Sequence, residues 1–221
     1  MAAKRRKNDS STDRPPDQRT GQRYTLLLRA AKLVTGQGEY LCLVRDVSDR
    51  GLKVRLFHDL AIESQCEIEL GSGERLSLEC VWQRDLQAGF RFAGGPRDVQ
   101  KLIDEAGPFP KRHLRLRLNP PLALMLVSGG LATPGRLCDI SQHGAAIALD
   151  RSLPLGAQAR IEAPALPLLH ARVRWRRGGL HGLVFQEGFR LDELAQLTRQ
   201  LQQPSAEPAK MPDSRRALTI D

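Results

Sequence analysis

Aromatic side chains are scarce in this 221-residue chain, at 5%, with two tryptophans, two tyrosines and six phenylalanines. A core built from this sequence must therefore rely on Leu, Val, Ile and Ala. Long hydrophobic runs are also missing. The most apolar stretch, residues 122–127, is far too short to cross a bilayer and reads as a strand instead. No apolar run follows the basic first residues, so no secretory signal is expected. The four cysteines, Cys42, Cys66, Cys80 and Cys138, form no CxxC pair, and each sits in a β-like run. That pattern argues against a zinc clamp or a disulfide framework and for small buried thiols in a reducing cytoplasm. The five histidines, His58, His113, His143, His170 and His181, make no i, i+4 metal pair, and neither G-x-S-x-G nor a phosphate-cradling loop occurs. No metal, cofactor or enzymatic activity is expected.

What is abundant is positive charge. The net charge is +9 and the isoelectric point near 9.9, which suits an anionic partner without selecting nucleic acid, lipid or a phosphate ligand. Part of the excess, Lys4 to Lys7, lies in a polar, proline-containing leader over 1–16 that is expected to be disordered. The tail over 203–221, with Pro204, Pro208 and Pro212, reads the same way.

Between leader and tail the chain repeats itself. Asp46 and Asp139, Gly51 and Gly144, Trp82 and Trp175, Gly89 and Gly182, and Phe92 and Phe185 each stand 93 positions apart. Several matches at one spacing imply two copies of one fold. In the first copy Leu52, Val54 and Leu56 alternate with Lys53 and Arg55, and Cys66, Ile68 and Leu70 alternate with Glu67 and Glu69, the period of half-buried strands. Residues 76–80 and 89–92 continue the pattern. Residues 96–106 then place Val99, Leu102, Ile103 and Ala106 at helical spacing, with Pro96 in the first turn. The second copy follows the same plan, with strands at 160–163, 168–177 and 182–185 and a helix over 191–201. The expected fold is mainly β: two tandem small antiparallel β-barrels, each followed by a C-terminal α-helix. The expected domains are 17–106 and 110–202, divided at the Pro-rich segment 107–110.

Asp46-Val-Ser48-Asp-Arg-Gly51 and Asp139-Ile-Ser141-Gln-His-Gly144 resemble the D-x-S-x-x-G element of PilZ domains. Val81-Trp82 with Gly89-Phe-Arg-Phe92, and Val173-Arg-Trp175 with Gly182-Leu-Val-Phe185, resemble that family's closing strands. The family's R-x-x-x-R element is matched by Arg19-Thr-Gly-Gln-Arg23, which ends 23 residues before Asp46. The second lead-in, Lys111-Arg-His-Leu-Arg115-Leu-Arg117, contains no R-x-x-x-R. Lys111 and Arg115 have the spacing, whereas Arg112 keeps the 93-residue register with Arg19. Both alignments remain open.

The resemblance implies a cyclic-di-GMP receptor that signals through rearrangement of its arginine segment and domains, in the cytoplasm, together with a protein partner. It implies ligand contacts at Arg19, Arg23, Asp46, Ser48 and Gly51, and a second site at Lys111, Arg112, Arg115, Asp139, Ser141 and Gly144. The residue types suit that ligand. A planar guanidinium grips the O6 and N7 acceptors of guanine with two donors or pairs with phosphate. A carboxylate such as Asp46 accepts from guanine N–H groups, and Gly51 offers positive φ and leaves space. Taken alone, D-x-S-x-x-G is also simply a good turn. Trp82 and Trp175 are expected in the core or between domains. Arg172, Arg174, Arg176 and Arg177 form a basic strand that a solvated barrel face explains. Two rivals stay open: a PilZ-like adaptor that works by protein contact without nucleotide, and a nucleic-acid-binding protein, disfavoured by the lack of surface aromatics for base stacking.

Overall fold

The structure, a computed structural model, describes residues 24–104 and 113–202. The expected leader 1–16, boundary 107–110 and tail 203–221 lie outside the described residues.

The first unit contains β1 (Tyr24–Thr35), β2 (Gly38–Val47), β3 (Gly51–Leu56), β4 (Gln65–Glu69), β5 (Arg75–Arg84), β6 (Gln87–Phe92) and α1 (Val99–Asp104). The ladder runs β1-β2-β3-β6-β5-β4, and β1 also pairs antiparallel with β4, so the barrel closes. The alternation seen in the sequence drives this closure. Cys66 and Ile68 of β4 and Leu76 and Leu78 of β5 point inward, with charged neighbours outside. Rolling the sheet brings these apolar rows face to face and removes unpaired edges. The core is aliphatic as composition required, centred on Leu33, Val54, Ile68 and Leu78, with Phe90 and Phe92 joining from β6. Cys42 and Cys66 belong to it, and burial pushes both thiols up to about 12. They stay protonated at neutral pH, which suits packing and not metal or nucleophilic chemistry.

α1 starts at Val99, later than the expected start at Pro96. Asp98 accepts a hydrogen bond from Gln100 N at 3.0 Å, so an aspartate cap starts the helix and leaves Pro96 outside it. Leu102 is buried on the core beside Val99 and Ile103.

The second unit repeats the plan with β7 (Leu116–Ser128), β8 (Leu131–Ser141), β9 (Gly144–Leu149), β10 (Gln158–Glu162), β11 (Leu169–Arg177), β12 (Leu180–Phe185) and α2 (Leu191–Gln202). It closes in the order β10-β11-β12-β9-β8-β7. Residues 122–127 fall inside β7 as expected. The β7–β8 register breaks between Arg117 and Leu122, where Pro120 and Pro121 have no N–H to donate. In α2 Glu193 accepts from Arg190 N at 2.8 Å at the helix start, and Leu194, Ala195 and Leu197 bury against the second core.

The two barrels are joined through apolar and polar contacts together. Leu41 of β2, a first-barrel strand, is buried within the second core, and Phe57 packs on it. Gln202 at the end of α2 bonds both backbone groups of Glu39: its Oε1 accepts from Glu39 N at 2.8 Å, and its Nε2 donates to Glu39 O at 2.7 Å. The strongest feature is Lys32, 3% exposed. Its ammonium pairs with Glu39 at 3.0 Å and Glu69 at 3.1 Å, and its third donor reaches Arg115 O of the second unit at 3.0 Å. Glu39 also accepts from Arg117 N at 2.8 Å. A buried ammonium with three donors thus has three acceptors, which offsets its desolvation.

Removing it leaves the buried Glu39 carboxylate without its cation, while Glu69 keeps Arg75 at 2.9 Å. Lys32→Ala is expected to lower unfolding free energy by about 3–5 kcal/mol. Urea denaturation checks this; a loss below about 1 kcal/mol would mean the network is solvated.

Candidate functional site

Strict alternation would send Asp46 inward. Cys42 and Val44 both face the first core, so two residues further the chain should do so again. The ladder instead carries one extra residue: Val44 pairs with Val54 but Asp46 pairs with Lys53, leaving Arg45 unopposed. This bulge turns Asp46 outward and lets Val47 take the core position. β5 does the same, since Cys80 pairs with Phe90 and Trp82 with Gly89, leaving Val81 as the extra residue. Trp82 therefore lies on the outer surface, half-buried, instead of in the core where alternation placed it. It covers Gly89: a Cβ there would stand 2.1 Å from the indole Nε1. The second barrel has both bulges, at Cys138 and Arg174. Trp175 lies over Gly182 and is 38% exposed. The expected core or inter-domain role of both tryptophans is thus corrected.

The hairpin after Asp46 is closed by its own residues. Ser48 N and Ser48 Oγ both donate to Gly51 O, at 2.8 and 3.2 Å. Ser141 Oγ donates to Gly144 O at 3.0 Å in the second copy. The serine proton is therefore used in the turn, while its lone pairs remain available. The expectation of a positive φ at Gly51 is corrected. Neither Gly51 nor Gly144 is among the positive-φ residues. Each is required because a Cβ would fall 2.0 Å from Phe90 O or 2.2 Å from Leu183 O. Close approach of the neighbouring backbone, not turn conformation, demands glycine here.

Beside the first hairpin lies an open cavity of about 760 Å³. Asp46, Ser48 and Gly51 form one wall, and Val81 and Trp82 another. Arg50, Lys53, Arg84 and Arg91 bring four cations to it. Lys53 Nζ and the Arg84 guanidinium flank the Trp82 ring at 5.9 and 5.5 Å from its centroid, within cation–π reach. Arg91 is shared with Glu79 at 2.8 Å. Val81 is 62% exposed. These cations are a local concentration: residues 24–104 hold eleven Lys and Arg against twelve Asp and Glu, whereas 113–202 hold eleven against six. The global charge therefore did not point to this cavity. Lys53 was visible in the sequence as an outward strand residue, and Arg50, Val81 and Arg91 lie inside the quoted motifs, but only strand pairing shows that they and Arg84 line one cavity. Together they offer a carboxylate acceptor, several cations and a flat aromatic, which suits a planar anion bearing N–H donors.

The second hairpin is arranged differently. Asp139 pairs with Arg115 at 2.8 Å, and the exposed His143 packs edge-on against His113 with ring centroids 4.4 Å apart. Of the remaining sequence-predicted residues, Arg19, Arg23, Lys111 and Arg112 lie outside the described residues. Among the described residues no group of three or more His, Cys, Asp or Glu side chains could hold a metal. His181, 1% exposed, accepts from Leu153 N at 3.1 Å and faces Gly179 O at 3.2 Å, a structural arrangement. No helix among the described residues is long and apolar enough to cross a membrane.

The sequence profile described as PilZ domain matches residues 17–106 and again 111–203. No curated protein matches. Similar solved structures include the Borreliella burgdorferi PlzA protein in complex with c-di-GMP, at 13% identity over 81% of this chain and 93% of that one, with a TM-score of 0.34. The Bacillus subtilis inhibitor of motility MotI/DgrA is 14% identical over 81% of this chain and 100% of its own, with a TM-score of 0.33. YcgR from Escherichia coli, in complex with c-di-GMP, is 16% identical over 79% of this chain and 80% of its own, with a TM-score of 0.28.

Gly51→Ala and Gly144→Ala are each expected to force strands apart and cost about 1–3 kcal/mol. Chemical denaturation of both variants checks this, and an unchanged midpoint would contradict the close backbone approach.

Proposed function

The chain belongs to the PilZ domain family, and from that membership we propose that it is a cyclic-di-GMP receptor whose first barrel carries the binding site. The observation that carries the reading is the cavity beside the first D-x-S-x-x-G hairpin, where Asp46 faces outward among Arg50, Lys53 and Arg84. Cyclic-di-GMP brings two phosphates and two guanines. The cations complement the phosphates, the Asp46 carboxylate complements guanine N1–H and N2–H, and guanine O6 and N7 call for a guanidinium fork. Arg19 and Arg23 supply that fork in this reading, approaching along the lead-in to β1. Their closure over the ligand is the proposed signalling step, since a segment held by the nucleotide presents a different surface to a protein partner. PilZ proteins act as receptors and effectors, and no catalytic step is assigned to these residues.

A second reading, an adaptor acting by protein contact, has its own support. The outer face of β11 and β12 exposes Trp175, Leu180 (37%) and Val184 (40%) beside Arg172, Arg174 and Arg177. Trp and Arg together are the composition of interface hot spots. That adaptor would bind no nucleotide, so a titration of the full chain with cyclic-di-GMP separates the two readings.

Arg19→Ala and Arg23→Ala are each expected to weaken cyclic-di-GMP binding by about 1.5–3 kcal/mol, roughly 10- to 150-fold. Isothermal calorimetry on the full chain measures it. Wild-type affinity in both variants would remove the arginine clamp from the reading.

A further inference from the structure

We propose that the second barrel's D-x-S-x-x-G hairpin already has an occupant, the guanidinium of Arg115, and that this closure, with the loss of neighbouring cations, leaves the first copy alone to take ligand. The inference rests on the receptor reading for the identity of the ligand. The closure itself rests on contacts within the chain.

Asp139 is the second copy of Asp46, turned outward by the same bulge. Asp46 lines an open cavity, and among the described residues no cation pairs with it. Asp139 instead binds Arg115 Nη1 at 2.8 Å. Arg115 stands 24 residues before Asp139, as Arg23 stands 23 before Asp46. A lead-in arginine therefore fills, from within, the acceptor that a guanine N–H pair would use. His113 adds to the cover by packing on His143.

An ion pair half open to water is weak when its side chains are free to leave. This one is carried on a fixed backbone. Arg115 O accepts from Lys32 Nζ at 3.0 Å, and Arg117 N donates to Glu39 Oε2 at 2.8 Å. Leu116, between them, is fully buried in the second core. Lys32 is itself locked between Glu39 and Glu69. The first barrel thus holds the residue that closes the second. To admit a ligand at Asp139, the guanidinium would have to swing away with no relief from the backbone, and Asp139 would exchange one ionic donor for neutral ones.

The surrounding positions agree. In the 93-residue register, Arg50, Lys53 and Arg91 of the first cavity become His143, Ala146 and Val184. Three cations that would meet phosphates are missing, while Trp175 and Arg177 persist. A face that keeps its aromatic and loses its anion contacts is no longer built for a dinucleotide.

The test combines calorimetry with hydrogen exchange on the full chain. With cyclic-di-GMP, Asp46→Ala should weaken binding at least 10-fold and leave no residual class of sites at wild-type affinity. Asp139→Ala should keep wild-type stoichiometry and an affinity within about twofold. Without ligand, Asp139→Ala and Arg115→Ala should each raise amide exchange across residues 113–117 at least several-fold, because the lead-in loses its anchor on the hairpin. A reduced stoichiometry in Asp139→Ala, or a half-complement of sites surviving in Asp46→Ala, would overturn the proposal. If the wild type bound no cyclic-di-GMP, the receptor reading would fail on its own. The exchange measurement would still decide the closure, and unchanged exchange in both variants would refute it.

Discussion

Placement of the candidate site depends on one extra residue in each of two ladders. In a closed barrel each strand has an inside and an outside, and the parity of every side chain follows from its position. Arg45 and Val81 break that parity in the first barrel, and Cys138 and Arg174 break it in the second. Without the bulges, the carboxylate and the indole would point into an aliphatic core that offers them no partner. With them, both reach the same outer wall. Gly89 and Gly182 then give the indoles a flat floor, and Gly51 and Gly144 let the hairpins lie against the neighbouring strand. The motif glycines are thus requirements of packing more than of local conformation.

The two copies use this common frame unequally. Among the described residues, the first hairpin lies beside an open, cation-lined cavity, whereas the second has its lead-in Arg115 on its own aspartate. The difference is imposed at the seam between barrels, where Lys32 and Glu39 grip the backbone on either side of Leu116. Burying an ammonium is costly unless every donor is used, and here the third donor is satisfied only by the second unit. The seam therefore fixes the relation of the barrels and the conformation of the lead-in through the same atoms.

Apolar packing reinforces that seam. Leu41, on the outer face of β2 between the inward Tyr40 and Cys42, fills the neighbouring core, and α2 ends against Glu39. A tandem joined in this way holds one unit in a set position on the other. Two separate beads on a linker would not.

The repeat, the strand periods and the motif spacing were enough to establish two mainly β units, the strands at 122–127 and 182–185, the helix over 191–201 and the family resemblance. These features were legible because they are local: alternation and helical spacing reflect which side of an element faces oil, and that is written residue by residue. Helix α1 was started too early because an aspartate cap competes with a proline start, and spacing alone does not rank the two. The tryptophans were misplaced because a bulge is invisible to periodicity, being a property of two paired strands and not of one. Arg50, Arg84 and Arg91 carry no common signature along the chain, and only the barrel brings them to one wall. Lys32 read as an ordinary strand lysine, since its acceptors come from β2, β4 and the lead-in to β7. The sequence by itself determined what each segment would become. Tertiary structure alone decided which charges meet, because electrostatic partners are chosen by distance in space, and strand pairing sets that distance.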